Sequence, residues 1–196
     1  MRSLFLVALM LIFVACSKPQ GGTEAPAGDF VGTDISAASF PGTLNLTDHT
    51  GKVRTMEDFK GKVVVLFFGY THCPDVCPTT MSDLKNVMKQ LGDKSNEVQV
   101  LFVTVDPERD TQEVLAQFVP SFDKRFIGLR GDAEQTKETL KNYKIFFSKV
   151  DGKSANDYTI DHSAGMYVFD KTGKIRVYFG YGQKTGEMVS DIQKLL

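Results

Sequence analysis

Two thiols, Cys73 and Cys77, stand four positions apart in the stretch GYTHCPDVCPTT that runs from Gly69 to Thr80; the third cysteine of the chain, Cys16, lies far upstream in an apolar leader. An apolar run, Val63 to Phe68, precedes the pair, and a helix-like segment, Thr79 to Leu91, follows it. Thiols on a loop between a buried strand and a helix N-terminus suit thiol–disulfide chemistry or the binding of a soft metal ion. If Cys77 is the N-cap and Pro78 the first helical residue, the free backbone N–H groups face the Cys77 sulfur and hold its pKa below the usual value of about 8.5. A structural disulfide or a pair of inert buried thiols is the plainer alternative. A three-residue spacer closes a disulfide when the Cα atoms come within about 7 Å. It also opens a bite wide enough for two sulfurs to share one ion, and thiolates select Cu(I), zinc or iron–sulfur centres. Structural zinc and iron–sulfur centres want about four protein ligands, so the pair calls for a third ligand and an ion content with low coordination number.

Histidine is the natural third donor, and the chain has only three. His49 falls on a turn and reads as a solvated loop residue. His72 adjoins Cys73 and is either an outer donor, an alternative ligand or a bystander. His162 lies in TIDHSAG, Thr159 to Gly165, just ahead of an apolar strand. There it could reach the cysteine loop, with Asp161 orienting the ring, since a ligating imidazole usually donates its other N–H to a carboxylate or carbonyl. A satisfied loop histidine is the competing reading. Met81 and Met166 each lie four residues beyond a proposed ligand, but methionines at such positions pack cores more often than they bind metals. Asp75 could tune the charge of the loop or meet a partner. Asp106 to Asp110 could form a functional rim, or simply end a strand ahead of a helix capped by Thr111.

The elements that must position these groups alternate. Thr43 to Thr47 and Lys52 to Thr55 flank Asp48-His49-Thr50-Gly51 and predict an N-terminal β-hairpin. Val63 to Phe68 reads as a strand buried on both faces, and Met81, Leu84, Val87, Met88 and Leu91 give the next helix one apolar face. Gln99 to Val105 predicts a second buried strand, followed by a helix to about Val119, a short strand at Phe126 to Leu129 and a helix from Ala133 to Tyr143 with Asp132 as N-cap. Ile145 to Val150 is extended, and Asp151 to Asp157 is a polar excursion. Gly165 to Phe169 and Ile175 to Tyr178 form a hairpin, and a last helix, Glu187 to Leu196, is capped by Thr185 or Gly186. The fold class is α/β, a central mixed sheet flanked by helices.

Upstream, Met1-Arg2 and the eleven apolar residues Leu4 to Val14 form a leader, too short for a permanent span of about 20 residues and normal for a signal peptide. It ends at Val14-Ala15-Cys16, which resembles a bacterial lipoprotein signal with Cys16 as the lipidated first residue. The expected organisation is a signal peptide at 1–15, an anchor and flexible Gly/Ala/Pro/Ser tether at 16–39, and one domain at 40–196. An ordinary secretory signal is the other reading. Either way the chain is exported to where disulfides can persist: to the periplasmic side of a two-membrane envelope, where Ser17 favours the outer membrane, or to the outer face of a single membrane. A net charge of −1 with no long basic run argues against nucleic acid as a partner.

The loop FFGYTHCPDVCPTT, Phe67 to Thr80, resembles the active-site loop of the Sco/SenC family of copper proteins. The likeness continues through VDPERDT, Val105 to Thr111, and FIGL, Phe126 to Leu129, and on to DHS, Asp161 to Ser163, ahead of YVFDKTG, Tyr167 to Gly173. It covers roughly residues 40 to 196. The resemblance implies a thioredoxin-like fold, copper ligands at Cys73, Cys77 and His162, and delivery of Cu(I) or Cu(II) to the copper-bearing subunit of cytochrome c oxidase or another cuproprotein. It also implies a separate copper donor protein. Many members hang from a transmembrane helix, whereas this chain carries a lipoprotein-like leader. The competing function is a thiol–disulfide reductase acting on a partner's cysteines through Cys73 and Cys77, although Cys-x-x-Cys is absent and no proline follows Pro120. A peroxidase needs a cation beside the attacking thiol, and none of Arg54, Arg109 and Arg130 sits in a matching motif.

Overall fold

The computed structural model describes residues 29–39, 43–153 and 157–196. Strands β1 (Thr33–Asp34), β2 (Leu46–Asp48), β3 (Val53–Arg54), β4 (Val63–Gly69), β5 (Val98–Thr104), β6 (Ile127–Arg130), β9 (Met166–Phe169) and β10 (Ile175–Phe179) build one mixed sheet, in the order β1-β10-β9-β4-β5-β6-β2-β3. Two further strands, β7 (Phe147–Asp151) and β8 (Tyr158–His162), pair only with each other. Helices α1 (Val76–Leu91), α2 (Gln112–Phe122), α3 (Ala133–Asn142) and α4 (Thr185–Leu195) complete the α/β architecture that the alternating pattern predicts.

The sheet's centre is β4 and β5, parallel to each other and buried at every residue. Strand β4 is Val-Val-Val-Leu-Phe-Phe-Gly, β-branched and aromatic residues that fit a pleat covered on both faces. Each such side chain contributes about 1.5–3 kcal/mol when fully buried, so the end of β4 is a rigid platform. Helix α1 lays Met81, Leu84, Val87, Met88 and Leu91 onto the core at the spacing of one helical face and stops at Gly92, whose φ of +57° a side chain would resist. The β2–β3 hairpin forms where Asp48 and Gly51 predict it. The buried Asp48 carboxylate accepts from Thr50 N–H, Thr50 O–H and Arg54 Nε, and those donors hold it well below the usual carboxylate range. Thr111 and Asp132 cap α2 and α3 by accepting from Val114 N–H and Gln135 N–H.

Three boundaries differ from the sequence expectation. Helix α1 starts at Val76, ahead of the predicted Thr79, and α4 is capped by Lys184 rather than by Thr185 or Gly186. The tether predicted to run to residue 39 ends earlier, because Thr33 and Asp34 pair with Tyr178 and Val177 on β10. Val31 and Gly32 N–H donate to the Asp191 carboxylate at 3.0 and 2.8 Å, and Phe30 and Ile35 pack against the core. A Gly/Ala/Ser-rich composition hid a segment that covers an open sheet edge. The leader at 1–15, Cys16 and the tether up to residue 28 lie outside the described residues. Among the described residues no helix is long and apolar enough to cross a membrane.

Candidate metal centre

At the end of β4 the chain turns through residues 70–75 into α1, and both thiols sit at that turn. Cys77 is fully buried directly over the strand: a Cβ on Gly69 would come within 3.0 Å of Cys77 Sγ and 2.9 Å of the Phe102 ring. Gly69 therefore makes room for the thiol. Asp75, not Cys77, occupies the N-cap, so the free N–H of the first turn serves the other cysteine: Cys77 N–H donates to Cys73 Sγ at 3.4 Å. Burial pushes the Cys77 thiol far above its ordinary value, and the neighbouring Cys73 and Asp110 push it further. The lowered Cys77 pKa expected from a helix cap is corrected here, since desolvation outweighs a helix-terminus contribution of about 0.3–1 kcal/mol. Both residues are free thiols, Cys73 half-buried.

His162, at the end of β8, brings Nε2 to 3.6 Å from Cys77 Sγ. Its Nδ1 lies 3.0 Å from the Ser163 carbonyl oxygen, which can only accept, so Nδ1 carries the proton and Nε2 presents its lone pair to the sulfur. Burial lowers the His162 pKa and keeps the ring neutral. The orienting partner is thus the Ser163 carbonyl; Asp161, expected in that role, is solvent-exposed. Tyr70 packs its ring against His162 edge-on, 5.9 Å between centroids, and its hydroxyl accepts the Ile160 N–H at 3.2 Å.

The other candidates stand apart from this pair. His72 is exposed and meets the Thr71 hydroxyl at 3.1 Å and the Asp110 carboxylate at 3.7 Å. His49 accepts the Gly128 N–H at 3.0 Å, a more definite role than a solvated turn. Met81 and Met166 are core residues. Asp75 is exposed, accepts from the Thr79 hydroxyl, and lines a cleft of about 470 Å³ with Tyr70, Cys73, Phe146, Asp161 and His162.

Cys73 and His162 line the cleft and Cys77 lies buried beside them, and two sulfurs with one imidazole nitrogen are donors for a soft ion of low coordination number. Among the described residues no three His, Cys, Asp or Glu side chains close into a ready cage; Cys77 and His162 meet, and Cys73 stands beside them with its sulfur on the helix amide. Beside the buried Cys77 lie Cys73 and Asp110, whose charges disfavour its thiolate in the metal-free protein.

The family profile described as SCO1/SenC matches residues 32–196. The chain belongs to the SCO1/SenC family. It is 37% identical over 160 residues to the mitochondrial SCO2 homolog of Bos taurus, covering 81% of this chain and 60% of that protein. It is 40% identical over 149 residues to the mitochondrial SCO2 of Saccharomyces cerevisiae, covering 74% of this chain and 50% of that one. The chain thus spans between half and two thirds of these relatives. Among solved structures, copper-bound ScoI of Bradyrhizobium japonicum superposes with a TM-score of 0.74 at 37% identity, covering 81% of this chain and all of that one. The fold is the thioredoxin-like one that the resemblance implies.

Within this family member, sequence reasoning missed the supports of the site. Asp110, fully buried, accepts from Thr71 N–H at 3.0 Å, Thr71 O–H at 2.5 Å and Thr104 O–H at 2.6 Å, and so ties the cysteine loop to the end of β5. Arg109 and Tyr158 join that same segment to the β7–β8 ribbon. The density of charge in Asp106 to Asp110 was the visible signal; nothing marked Tyr158, whose partners lie about fifty residues away in sequence.

Proposed function

We propose that this chain binds copper through Cys73, Cys77 and His162 and passes it to the copper-bearing subunit of cytochrome c oxidase or to another cuproprotein, after receiving it from a separate donor protein. The observation that carries the reading is the 3.6 Å approach of Cys77 Sγ and His162 Nε2, with the Nδ1 proton already committed to Ser163. The copper-bound state of the Bradyrhizobium relative supports it. Two thiolates satisfy Cu(I), and the added imidazole suits Cu(II). Cys16 serves as the lipid anchor that holds the domain on the outer side of a bacterial membrane, after removal of the leader at 1–15.

The test titrates Cu(I), and then Cu(II), into reduced protein under anaerobic conditions, with His162→Ala and with Cys73→Ser/Cys77→Ser alongside. One copper per chain is expected, lost with the cysteines and weakened mainly for Cu(II) with the histidine. Stoichiometric copper retained by the double cysteine variant would refute the reading. Mass spectrometry of the exported protein tests the anchor, a lipid-modified N-terminal Cys16 being the expected species.

The free state of both thiols, with a helix amide on Cys73 Sγ, favours a second reading, a thiol–disulfide reductase acting on the cysteines of a cuproprotein. A dithiol potential between roughly −200 and −270 mV, in the range of known reductants, together with no tight copper binding, would move the assignment there.

A further inference from the structure

Among the described residues the β7–β8 ribbon that carries His162 pairs only within itself, and an isolated two-stranded ribbon is marginal in water. Ile160 of β8 packs into the core and donates its N–H to the Tyr70 hydroxyl, and the remaining ties to the sheet are side chains from the loop after β5. Arg109 Nε meets the Asp106 carboxylate at 2.5 Å, Arg109 Nη1 donates to the Tyr158 carbonyl at 2.9 Å, and the guanidinium lies 3.5 Å from the centroid of the Tyr158 ring. The Tyr158 hydroxyl closes the loop by donating to the other Asp106 oxygen at 2.9 Å. Asp106 is buried and the Arg109 side chain mostly so, which strengthens the charge-assisted pair between them, while Tyr158 is half-buried. Tyr158 opens β8 and His162 ends it. Tyr70 gives a second connection, its ring 5.8 Å from the Arg109 guanidinium and 5.9 Å from the His162 ring.

We propose that Asp106, Arg109 and Tyr158 form a latch that holds His162 over the thiols and thereby sets the preference of the site for Cu(II) over Cu(I). The inference rests on the copper reading above. None of the three is placed as a ligand; they are positioning residues. Cu(I) is content with two thiolates, whereas Cu(II) draws on the imidazole nitrogen. Opening the latch moves the ribbon, withdraws that nitrogen and costs Cu(II) selectively. The same opening would release a copper ion held by three donors to one held by two, the easier state from which to transfer it.

The test has two arms. In metal-free protein, hydrogen exchange is followed by mass spectrometry over residues 158–162 for wild type, Arg109→Gln, Arg109→Lys and Tyr158→Phe. Arg109→Gln is expected to speed exchange there by about tenfold, as loss of a cation–π contact and a charge-assisted hydrogen bond implies; Arg109→Lys, which keeps charge but not the fork, falls between. In the copper arm, Arg109→Gln is expected to weaken Cu(II) by about tenfold and alter its EPR signature while leaving Cu(I) affinity within about threefold, and to add nothing in a His162→Ala background. Equal losses for both oxidation states, or an undiminished loss without His162, would overturn the latch and leave a merely structural arginine. Should Arg109→Gln not fold, Tyr158→Phe removes the hydroxyl's bond to Asp106 and its longer contact to Glu108 at 3.5 Å while keeping the ring under Arg109; it is expected to show the same pattern at smaller size, and unchanged exchange with an unchanged Cu(II) spectrum would overturn the proposal. Wild-type protein that binds no copper would defeat the copper reading alone, and the exchange arm would still decide whether the latch holds the ribbon.

Discussion

Cys77 is buried over β4, whereas Cys73 is half-buried where it lines the cleft. Metal-free, reduced protein at about pH 7.5 treated with iodoacetamide should lose Cys73 first. Iodoacetamide reacts with the thiolate and must reach the sulfur to do so. Cys77 is 0% exposed, and burial pushes its pKa far upward. That rise removes the reactive thiolate, and a roughly 100-fold slower alkylation of Cys77 would correspond to about 2.7 kcal/mol. Loss of access to the reagent slows it further. Timed quenching, digestion and mass spectrometry would read the two sites separately, and Cys73→Ser would report Cys77 without its neighbour. In urea the rates should converge, because the difference is tertiary. Cys77 labelled as fast as Cys73 in the native protein would refute the reasoning and restore a helix-capped thiolate at position 77.

The remaining predictions concern the groups around that pair. His162 has its pKa lowered by burial, so below the unfolded value of about 6.5 the unfolded chain takes up a proton that the native one refuses. Stability of the metal-free protein should therefore fall as pH drops below about 6.5, by at most about 1.4 kcal/mol per pH unit from this residue; urea midpoints at pH 7.5 and 5.5 should show a smaller drop in His162→Ala, and identical drops would contradict the assignment. Asp110→Asn leaves the Thr71 and Thr104 donors sharing one carbonyl oxygen and should cost about 2–4 kcal/mol in chemical denaturation, with Cys73 alkylation faster as the loop loosens. Asp191→Ala orphans the Val31 and Gly32 amides and should cost about 1–3 kcal/mol; limited proteolysis should then cut within residues 29–39 while the rest of the domain resists, and an uncut segment would mean that β1 holds without this anchor.

What the sequence determines by itself is whatever rests on local pattern and residue type. Val63 to Phe68 reads as a strand covered on both faces, Asp48 to Gly51 as a tight turn, and Thr111 and Asp132 carry their caps with them, so the alternation that makes an α/β sheet was legible. The sequence singled out Cys73 and Cys77 by residue type and left His162 open, and it is the structure that brings His162 Nε2 to 3.6 Å from Cys77 Sγ. Composition misled at residues 30–38, where a Gly/Ala/Ser-rich stretch pairs with β10 because Asp191, far along the chain, offers its amides a buried carboxylate. Cap logic misled at Cys77, because the helix begins at Val76 and the thiol falls onto Gly69, inside the core. Only the tertiary structure decides that the first-turn amide serves Cys73, that Ser163 rather than Asp161 fixes the imidazole, and that Arg109 reaches Tyr158 across the gap to the ribbon. Helix and strand periods act over a few residues, whereas desolvation and the choice of hydrogen-bond partner depend on which distant segments exclude water from the same place.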